Sequence, residues 1–151
     1  MTAPPPIGFL LADVTRLMRR AFASELEGSQ LTLAQAKTLL RLRRCEGARQ
    51  VELAEYLEIR PITLTRLVDQ LQAEGLVERR ADPQDRRAFQ LYLTEAAQPV
   101  VEQIVAAVTR LQLRALEGVT PDAVAVFSAV LESMRENLGS RVADLEDGAG
   151  Q

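Results

Sequence analysis

Arginine is the most distinctive residue for chemistry in this 151-residue chain, because 17 of the 18 basic residues are arginines and Lys37 is the exception. The guanidinium group is planar and permanently charged, and its fork of donors matches phosphate oxygens and the edge of a guanine base. Arg60, Arg66, Arg86 and Arg87 stand in a central segment that also contains threonine, proline and glutamine. These side chains predict recognition of anions and of nucleobase edges.

The charge of the chain is unevenly distributed. The net charge is −3, but residues 37–90 carry 11 basic and 9 acidic side chains, and the remaining residues carry 7 and 12. A net acidic chain argues against nucleic-acid binding, which usually goes with a basic domain. The local basic excess argues for it. An ordinary solvated surface explains the composition equally well, so the positions of the arginines must decide.

Several classes of site are excluded by composition. Histidine is absent and Cys45 is the single cysteine, so one chain cannot form a serine–histidine or cysteine–histidine pair, an internal disulfide or the usual zinc sites. Asp82 and Asp85 stand among polar residues, which does not favour acid–base catalysis. Arg43 and Arg44 would favour a thiolate at Cys45, but a small core residue is the simpler interpretation. We predict a protein that is not an enzyme and uses no metal or cofactor.

The first residues do not resemble a targeting segment. Residues 1–12 lack a basic start, and their apolar run stops at Asp13. No stretch approaches the ~18 apolar residues that a membrane helix needs. We therefore expect a soluble, cytoplasmic protein that does not bind a membrane.

The periodicity of apolar residues predicts six helices and one β-hairpin. Thr32 and Gln35 fit a capping box, and Thr94 and Thr120 are candidate N-caps of the fifth and sixth helices. Pro99 would then fall in the second turn of the fifth helix and deform it. The predicted helices span residues 7–26, 32–44, 50–57, 61–75, 95–116 and from 121 onward, and the predicted strands span residues 76–80 and 89–93.

The first, fifth and sixth helices carry more apolar surface than one small core can bury. We therefore predict that they pack across a two-fold axis in a homodimer. A purely intramolecular bundle is the alternative. The side chains predicted to point inward are Leu64, Leu67, Val68 and Leu71 in the fourth helix and Phe127, Val130, Leu131, Met134 and Leu138 in the sixth.

Two helices joined by a tight turn at 50–75 and followed by a hairpin have the layout of a winged helix-turn-helix. The motifs Thr-Arg-Leu-Val-Asp at 65–69, Gly-Leu-Val at 75–77 and Asp-x-x-Asp-Arg-Arg at 82–87 occur in one order and spacing. Through them the chain resembles the multiple-antibiotic-resistance-regulator (MarR) family. The resemblance implies a mainly α fold, with a winged helix-turn-helix of three helices and a β-hairpin wing between long dimerisation helices. We assign an arm and dimerisation helix to 1–31, the winged region to 32–94 and C-terminal dimerisation helices to 95–151, all in one compact chain.

The resemblance also implies a homodimeric, sequence-specific regulator of transcription on a pseudo-palindromic operator. The fourth helix would enter the major groove of double-stranded DNA, and Arg86 would enter the minor groove. Arg66 would contact a guanine edge or a phosphate, although a pair with Asp69 or Gln70 on a solvated face is the alternative. The residues predicted to contact DNA are Arg60, Pro61, Ile62, Thr63, Thr65, Arg66, Gln70, Arg86 and Arg87.

The wing is expected to be stiffened by its own charges. Asp82 or Asp85 would pair with Arg86 or Arg87 at the tip. Arg79 and Arg80 are either phosphate contacts or members of structural pairs.

The resemblance also implies an effector, because regulators of this family often release DNA when a small anionic aromatic molecule binds. It would bind between the first and second helices and the start of the fifth, where Arg16, Arg19, Arg20 and Arg41 could meet its carboxylate. Surface arginines without such a role are the simpler interpretation, so the ligand-binding residues stay unassigned.

A winged-helix module that binds protein instead of DNA is the alternative function. Such a module has no need of basic groups at both the helix and the hairpin tip. Arg66 and Arg86 therefore discriminate between the two functions.

Overall fold

The computed structural model describes the backbone of residues 5–148 and the side chains of residues 5–139. Within that range the fold is mainly helical with a two-stranded antiparallel hairpin, as predicted. The chain divides into two compact units, residues 1–112 and 113–151. The elements are α1 (Ile7–Glu25), α2 (Leu33–Arg44), α3 (Gln50–Tyr56), α4 (Pro61–Ala73), β1 (Val77–Ala81), β2 (Phe89–Leu93), α5 (Ala97–Ala115) and α6 (Pro121–Gly148).

The core of the first unit is built from one face of each helix of the winged region, together with the hairpin, Phe22, Leu26 and the buried face of α5. In α4 the apolar residues recur at helical spacing and therefore share a face. All four residues predicted for that face are buried. The largest fully buried apolar side chains of the core are Leu39, Leu42, Leu53, Leu64, Leu71, Leu91, Ile104, Val68 and Val77.

The start of α2 is capped as the sequence predicts. The backbone N–H of Gln35 donates to Oγ1 of Thr32 over 3.2 Å, and the backbone N–H of Thr32 donates to Oε1 of Gln35 over 2.8 Å. This reciprocal pair satisfies two amides that a helix start otherwise leaves without partners. The predicted capping box is confirmed.

The start of α5 differs from the prediction. The helix begins at Ala97 and not at Glu95, and the Thr94 hydroxyl donates to the carbonyl oxygen of Gly75 over 2.5 Å instead of capping α5. Pro99 consequently falls in the first turn, where its missing N–H costs no helical hydrogen bond. The predicted helix start at Glu95 was wrong, because residues 95–96 form a turn in which the Ala97 amide donates to the Thr94 carbonyl and the Gln98 amide to the Glu95 carbonyl, each over 3.1 Å.

The hairpin has a regular register from the pair Val77–Leu93 to the pair Ala81–Phe89. β1 therefore begins one residue later than predicted. The segment between α2 and α3 runs along the other edge of β2. The Gly47 amide donates to the Leu91 carbonyl over 2.9 Å, and the Leu91 amide donates to the Ala48 carbonyl over 3.1 Å. The wing is thus tied by its backbone to the segment that leads into α3.

The first unit also contains α1, whose apolar side chains are mostly exposed. Phe22 is its buried residue, and Leu26, directly after the helix, is also in the core. Leu10 and Leu17 are 52% and 54% exposed. Most of the apolar face of α1 is therefore not covered by the other described residues of the first unit.

The second unit consists of the end of α5 and the long helix α6. The Ala123 amide donates to Oγ1 of Thr120 over 3.3 Å, which confirms the predicted N-cap of α6. The prediction that Phe127, Val130 and Leu138 point inward is wrong for a single chain, because these side chains are exposed. Across the residues that the structure describes, no helix combines the length and the apolar character needed to span a bilayer.

Candidate nucleic-acid interface

The exposed face of α4 is a largely polar strip, and the buried face of the same helix fixes its position. We call the exposed face the α4 strip. Because the apolar face of α4 packs into the core, the remaining positions point away from the core. Asp69 and most of the side chains predicted to read DNA lie on this strip. Pro61, Ile62, Thr63, Arg66 and Gln70 are exposed, and Thr65 is half-buried.

Arg66 is the basic side chain on this strip. Among the described residues it makes no hydrogen bond, ion pair or ring contact. The carboxylate of Asp69, its alternative partner, lies 2.7 Å from Nη2 of Arg79 instead. The donors of Arg66 are therefore available to a ligand outside the chain.

The Thr65 hydroxyl is already engaged within the winged region. It donates to the carbonyl oxygen of Pro61 over 3.0 Å and accepts from Nε2 of Gln50 over 2.8 Å. A hydroxyl has a single proton to donate. A bond from Thr65 to a phosphate would therefore replace its bond to Pro61, whereas the exposed Thr63 has no such competition within the described side chains.

Arg79 joins the wing to the helix-turn-helix. From β1 its guanidinium donates to Oε1 of Gln50 over 3.2 Å, to Oε1 of Gln72 over 2.9 Å and to the Thr65 carbonyl over 3.4 Å. The same group forms the ion pair with Asp69. Four partners on α3 and α4 thus surround one guanidinium, whose side chain is 19% exposed. Arg79 has a structural role in this arrangement.

Arg80 also has partners within the chain. It forms an ion pair with Glu78, and its guanidinium carbon lies 4.0 Å from the centroid of the Tyr92 ring. Both basic residues of β1 are therefore occupied, in contrast to Arg66.

The wing tip exposes Arg86 and Arg87. The predicted ion pairs between these arginines and the wing aspartates do not form. Asp85 accepts through Oδ1 from the backbone N–H of Arg87 over 3.0 Å, and Asp82 pairs with Arg49, whose Nε lies 2.7 Å from Oδ2. The tip is stiffened by carboxylate-to-amide bonds, which leaves both guanidinium groups exposed.

Asp82 is held in its charged form. The backbone amide of Gln84, which donates to Oδ1 over 2.8 Å, is the main cause that lowers the pKa of this carboxyl group below its ordinary value. Burial opposes this shift, and Arg49 reinforces it. A carboxylate with these donors stays ionised at neutral pH, so its ion pair with Arg49 persists there.

The start of α4 leaves the Ile62 amide available to an outside acceptor, since Pro61 has no N–H and the Thr63 amide donates to the carbonyl of Arg60 over 2.9 Å. Arg60 is the N-cap residue and makes no side-chain capping bond, and Pro61 occupies the first turn. Helix N-termini of this kind attract anions through unpaired N–H groups and the helix dipole. The exposed guanidinium of Arg60 adds positive charge at the same place.

The sequence does not reveal the polar junctions, that is, the ion pairs and hydrogen bonds by which Arg49 and Arg79 join different elements. Arg49 stands directly before α3 and Arg79 stands in β1, but their partners Asp82 and Thr65 lie 33 and 14 residues away. For Arg79 a structural pair was one of the two predicted roles, whereas for Arg49 the location in the basic segment was the one signal available. No hydrogen bond or ion pair links the α4 strip to Arg86 or Arg87 among the described side chains, so these two groups are positioned through such junctions and through the backbone of the hairpin.

A helix-turn-helix with a hairpin wing, whose unpaired arginines lie on the second helix and at the wing tip, defines a winged-helix DNA-binding regulator. The profile of the MarR family matches residues 31–89. The chain belongs to the MarR family of winged-helix, DNA-binding transcription regulators, which are not enzymes.

Solved structures support this assignment over most of the chain. A cysteine-to-serine variant of E. coli MarR in complex with operator DNA is 30% identical, with 86% of this chain and 94% of that chain covered and a TM-score of 0.71. Wild-type E. coli MarR in its apo form is 29% identical, with 88% and 98% covered and a TM-score of 0.77. A MarR transcriptional regulator from Methanosarcina mazei Go1 is 26% identical, with 90% and 97% covered and a TM-score of 0.79.

Proposed function

We propose that the chain is a homodimeric, sequence-specific regulator of transcription that acts in the cytoplasm on a pseudo-palindromic operator. The observation that carries this proposal is the exposed, unpaired guanidinium of Arg66 on the outer flank of α4, while the nearby Arg79 is occupied within the chain. An α-helix fits the major groove of B-DNA, and arginine is the commonest reader of guanine there.

In the proposed complex the residues of the strip have different roles. Arg66 contacts a guanine edge or an adjacent phosphate, and Arg60 and the start of α4 contact phosphate. Pro61 and Ile62 make apolar contact with the bases, and Thr63, Thr65 and Gln70 supply polar contacts. At the wing tip, Arg86 enters the minor groove, whose negative potential attracts a guanidinium, and Arg87 contacts a flanking phosphate.

The proposed dimer is supported by the exposed apolar surface of two helices. Phe9 and Leu17 of α1 are 69% and 54% exposed, and Val126 and Leu138 of α6 are 66% and 63% exposed. Large exposed apolar patches mark interaction sites, and two-fold dimers are the commonest assembly. In this proposal residues 1–31 and 95–151 form the dimer interface and residues 32–94 bind DNA.

We propose further that a small anionic aromatic effector relieves DNA binding. Arg19 and Lys37 line a cavity of about 350 Å³ with Leu40, Tyr56, Leu57 and Glu58, which offers cations beside apolar surface. Two other candidate arginines have partners: Arg16 pairs with Asp13 over 3.1 Å, and the Arg41 guanidinium lies 3.5 Å from the Tyr56 ring centroid. Arg20 does not line this cavity, so Arg19 is the arginine that we assign to the effector carboxylate.

Selection of bound duplexes from random DNA tests the proposed function. With the selected duplex, Arg66→Ala and Arg86→Ala should each weaken binding by ~1–3 kcal/mol. Arg43→Ala on α2 is the matched control, since it removes an exposed arginine that is assigned neither to the DNA contacts nor to the dimer interface. If no duplex is enriched, or if both variants bind like the wild type, the proposed interface is wrong.

A second experiment tests the effector. A panel of phenolic acids is titrated into the complex of protein and duplex, and release of DNA is followed by fluorescence anisotropy. The double variant Arg19→Gln/Lys37→Gln should keep its affinity for DNA but lose the response. Release that is identical in this variant and the wild type would contradict the assignment of the cavity.

A further inference from the structure

The ion pair between Arg49 and Asp82 connects two parts of the winged region that are far apart in sequence. Nε of Arg49, at the start of α3, lies 2.7 Å from Oδ2 of Asp82, at the base of the wing loop. The Asp82 side chain is 3% exposed and the Arg49 side chain is 36% exposed. A buried carboxylate needs such a partner, because an unpaired one would be costly to desolvate.

On one side of this pair, Arg49 is held by the backbone. It forms an isolated antiparallel bridge with Gln90 of β2. Its N–H donates to Oε2 of Glu52 over 2.9 Å, which satisfies an amide at the start of α3. The Arg49 side chain therefore projects from a position that is fixed relative to the helix-turn-helix.

On the other side, Asp82 holds both ends of the loop that carries the wing-tip arginines. Its second carboxylate oxygen accepts from the amide of Gln84 over 2.8 Å, and its own amide donates to the carbonyl of Ala88 over 3.1 Å. Arg86 and Arg87 lie between these two anchor points. Because the loop has few other described contacts, its orientation depends on how Asp82 is held.

We propose that Arg49 and Asp82 are a positioning pair, which fixes where the wing-tip arginines meet DNA relative to α4. The inference rests on the proposed DNA-binding function, and it adds residues that do not themselves touch the duplex. The pair sets the spacing between a major-groove contact and a minor-groove contact, so it acts on affinity through Arg86 and Arg87.

A double-mutant cycle separates positioning from a merely structural role. Affinity for the selected duplex is measured for the wild type, Asp82→Asn, Arg86→Ala/Arg87→Ala and the triple variant. Asp82→Asn retains the shape of the side chain and an acceptor for Gln84 but removes the charge that pairs with Arg49. We expect a loss of about tenfold in the wild-type background and less than about twofold when both tip arginines are absent, since residues that act together are not additive. Equal losses in both backgrounds would overturn the proposal.

The salt dependence of binding tests whether Arg49 contacts DNA directly. Removing a phosphate contact lowers the slope of log affinity against log salt by about one. Arg49→Gln and Asp82→Asn should both reduce affinity and leave this slope unchanged, and the two substitutions together should cost no more than either alone. A lower slope for Arg49→Gln but not for Asp82→Asn would make Arg49 a DNA contact and would contradict the proposal. Arg49→Lys provides a conservative second variant, because it retains the positive charge but lacks the planar guanidinium donors.

Hydrogen exchange in the absence of DNA keeps this inference distinct from the proposed function. In Asp82→Asn and Arg49→Gln, the amides of Asp82 and Ala88 should exchange faster than in the wild type, while the core amides of α4 remain protected. If the wing-loop amides exchange at the wild-type rate in both variants, the pair does not hold the loop and the proposal fails. This result does not depend on whether any duplex binds.

Discussion

The winged region and the first helix contain the same kind of apolar stripe, but the stripe is buried in the winged region and mostly exposed in the first helix. Leu39 and Leu64 of the winged region are completely buried, whereas Leu10 and Leu17 of α1 are about half exposed. In both regions leucines recur at helical spacing. The stripes of the winged region are buried in the core of the first unit, to which α5 and Phe22 also contribute, whereas most of the α1 stripe is exposed.

The difference shows that an apolar stripe predicts burial but does not identify the partner. Burial of an apolar side chain is favourable wherever the covering surface comes from, because the gain depends on the area removed from water. In the winged region that surface comes from neighbouring helices of the same chain. For α1 and α6 we propose that it comes from a second copy.

The largest expected effect is on the free energy of unfolding, after a substitution in the buried core of the winged region. Leu64→Ala should lower the free energy of unfolding by ~2–5 kcal/mol, because it leaves a cavity at a fully buried site. Ile62→Ala is the matched control on the same helix, since Ile62 is 60% exposed. It should change stability by less than ~0.5 kcal/mol in a urea titration. If both variants lose the same free energy of unfolding, burial does not distinguish the two positions and the comparison fails.

The next effect concerns the exposed stripe of α1. Leu10→Glu/Leu17→Glu should raise the dissociation constant of the dimer about 10- to 100-fold, because charges would then be buried between copies. Sedimentation equilibrium at several protein concentrations measures this change. Thr15→Glu, on the same helix outside the apolar stripe, is the control. A wild type that is monomeric at micromolar concentration would refute the dimer.

A third test concerns Asp82, a buried acid of the winged region. Because the folded state lowers its pKa, Asp82 contributes stability that is fully present above the pKa of the unfolded chain, about 3.9. This contribution is lost as the pH falls through the lower pKa of the folded state. The difference in unfolding free energy between the wild type and Asp82→Asn should therefore be constant above about pH 5 and should shrink in more acidic solution. A difference that does not change down to pH 3 would contradict this role.

The smallest effect concerns the turn of the helix-turn-helix. Glu58 has φ = 53°, a left-handed conformation that glycine adopts more easily than other residues. Glu58→Gly should stabilise the fold by ~0.5–1 kcal/mol, as measured by thermal unfolding. Glu55→Gly, within α3, should instead destabilise it by a similar amount. A loss of stability in Glu58→Gly would show that its side chain contributes more than the strain costs.

Much of the fold could be read from local patterns. The capping box at Thr32, the cap at Thr120 and the buried stripe of α4 all depend on residues within one or two helical turns. The error at Thr94 has a different origin. Its hydroxyl bonds to Gly75, which is 19 residues away and becomes a neighbour only when the hairpin forms.

The sequence by itself determined the types and order of the elements, the buried face of α4 and the family motifs, because each depends on short-range periodicity or on residue identity. The tertiary structure alone decided which arginines have ion-pair or hydrogen-bond partners within the chain. Arg49 and Arg79 meet partners on other elements, whereas Arg66, Arg86 and Arg87 point away from them. The physical reason is that an ion pair depends on distance in space, and packing of the apolar faces sets that distance between elements remote in sequence.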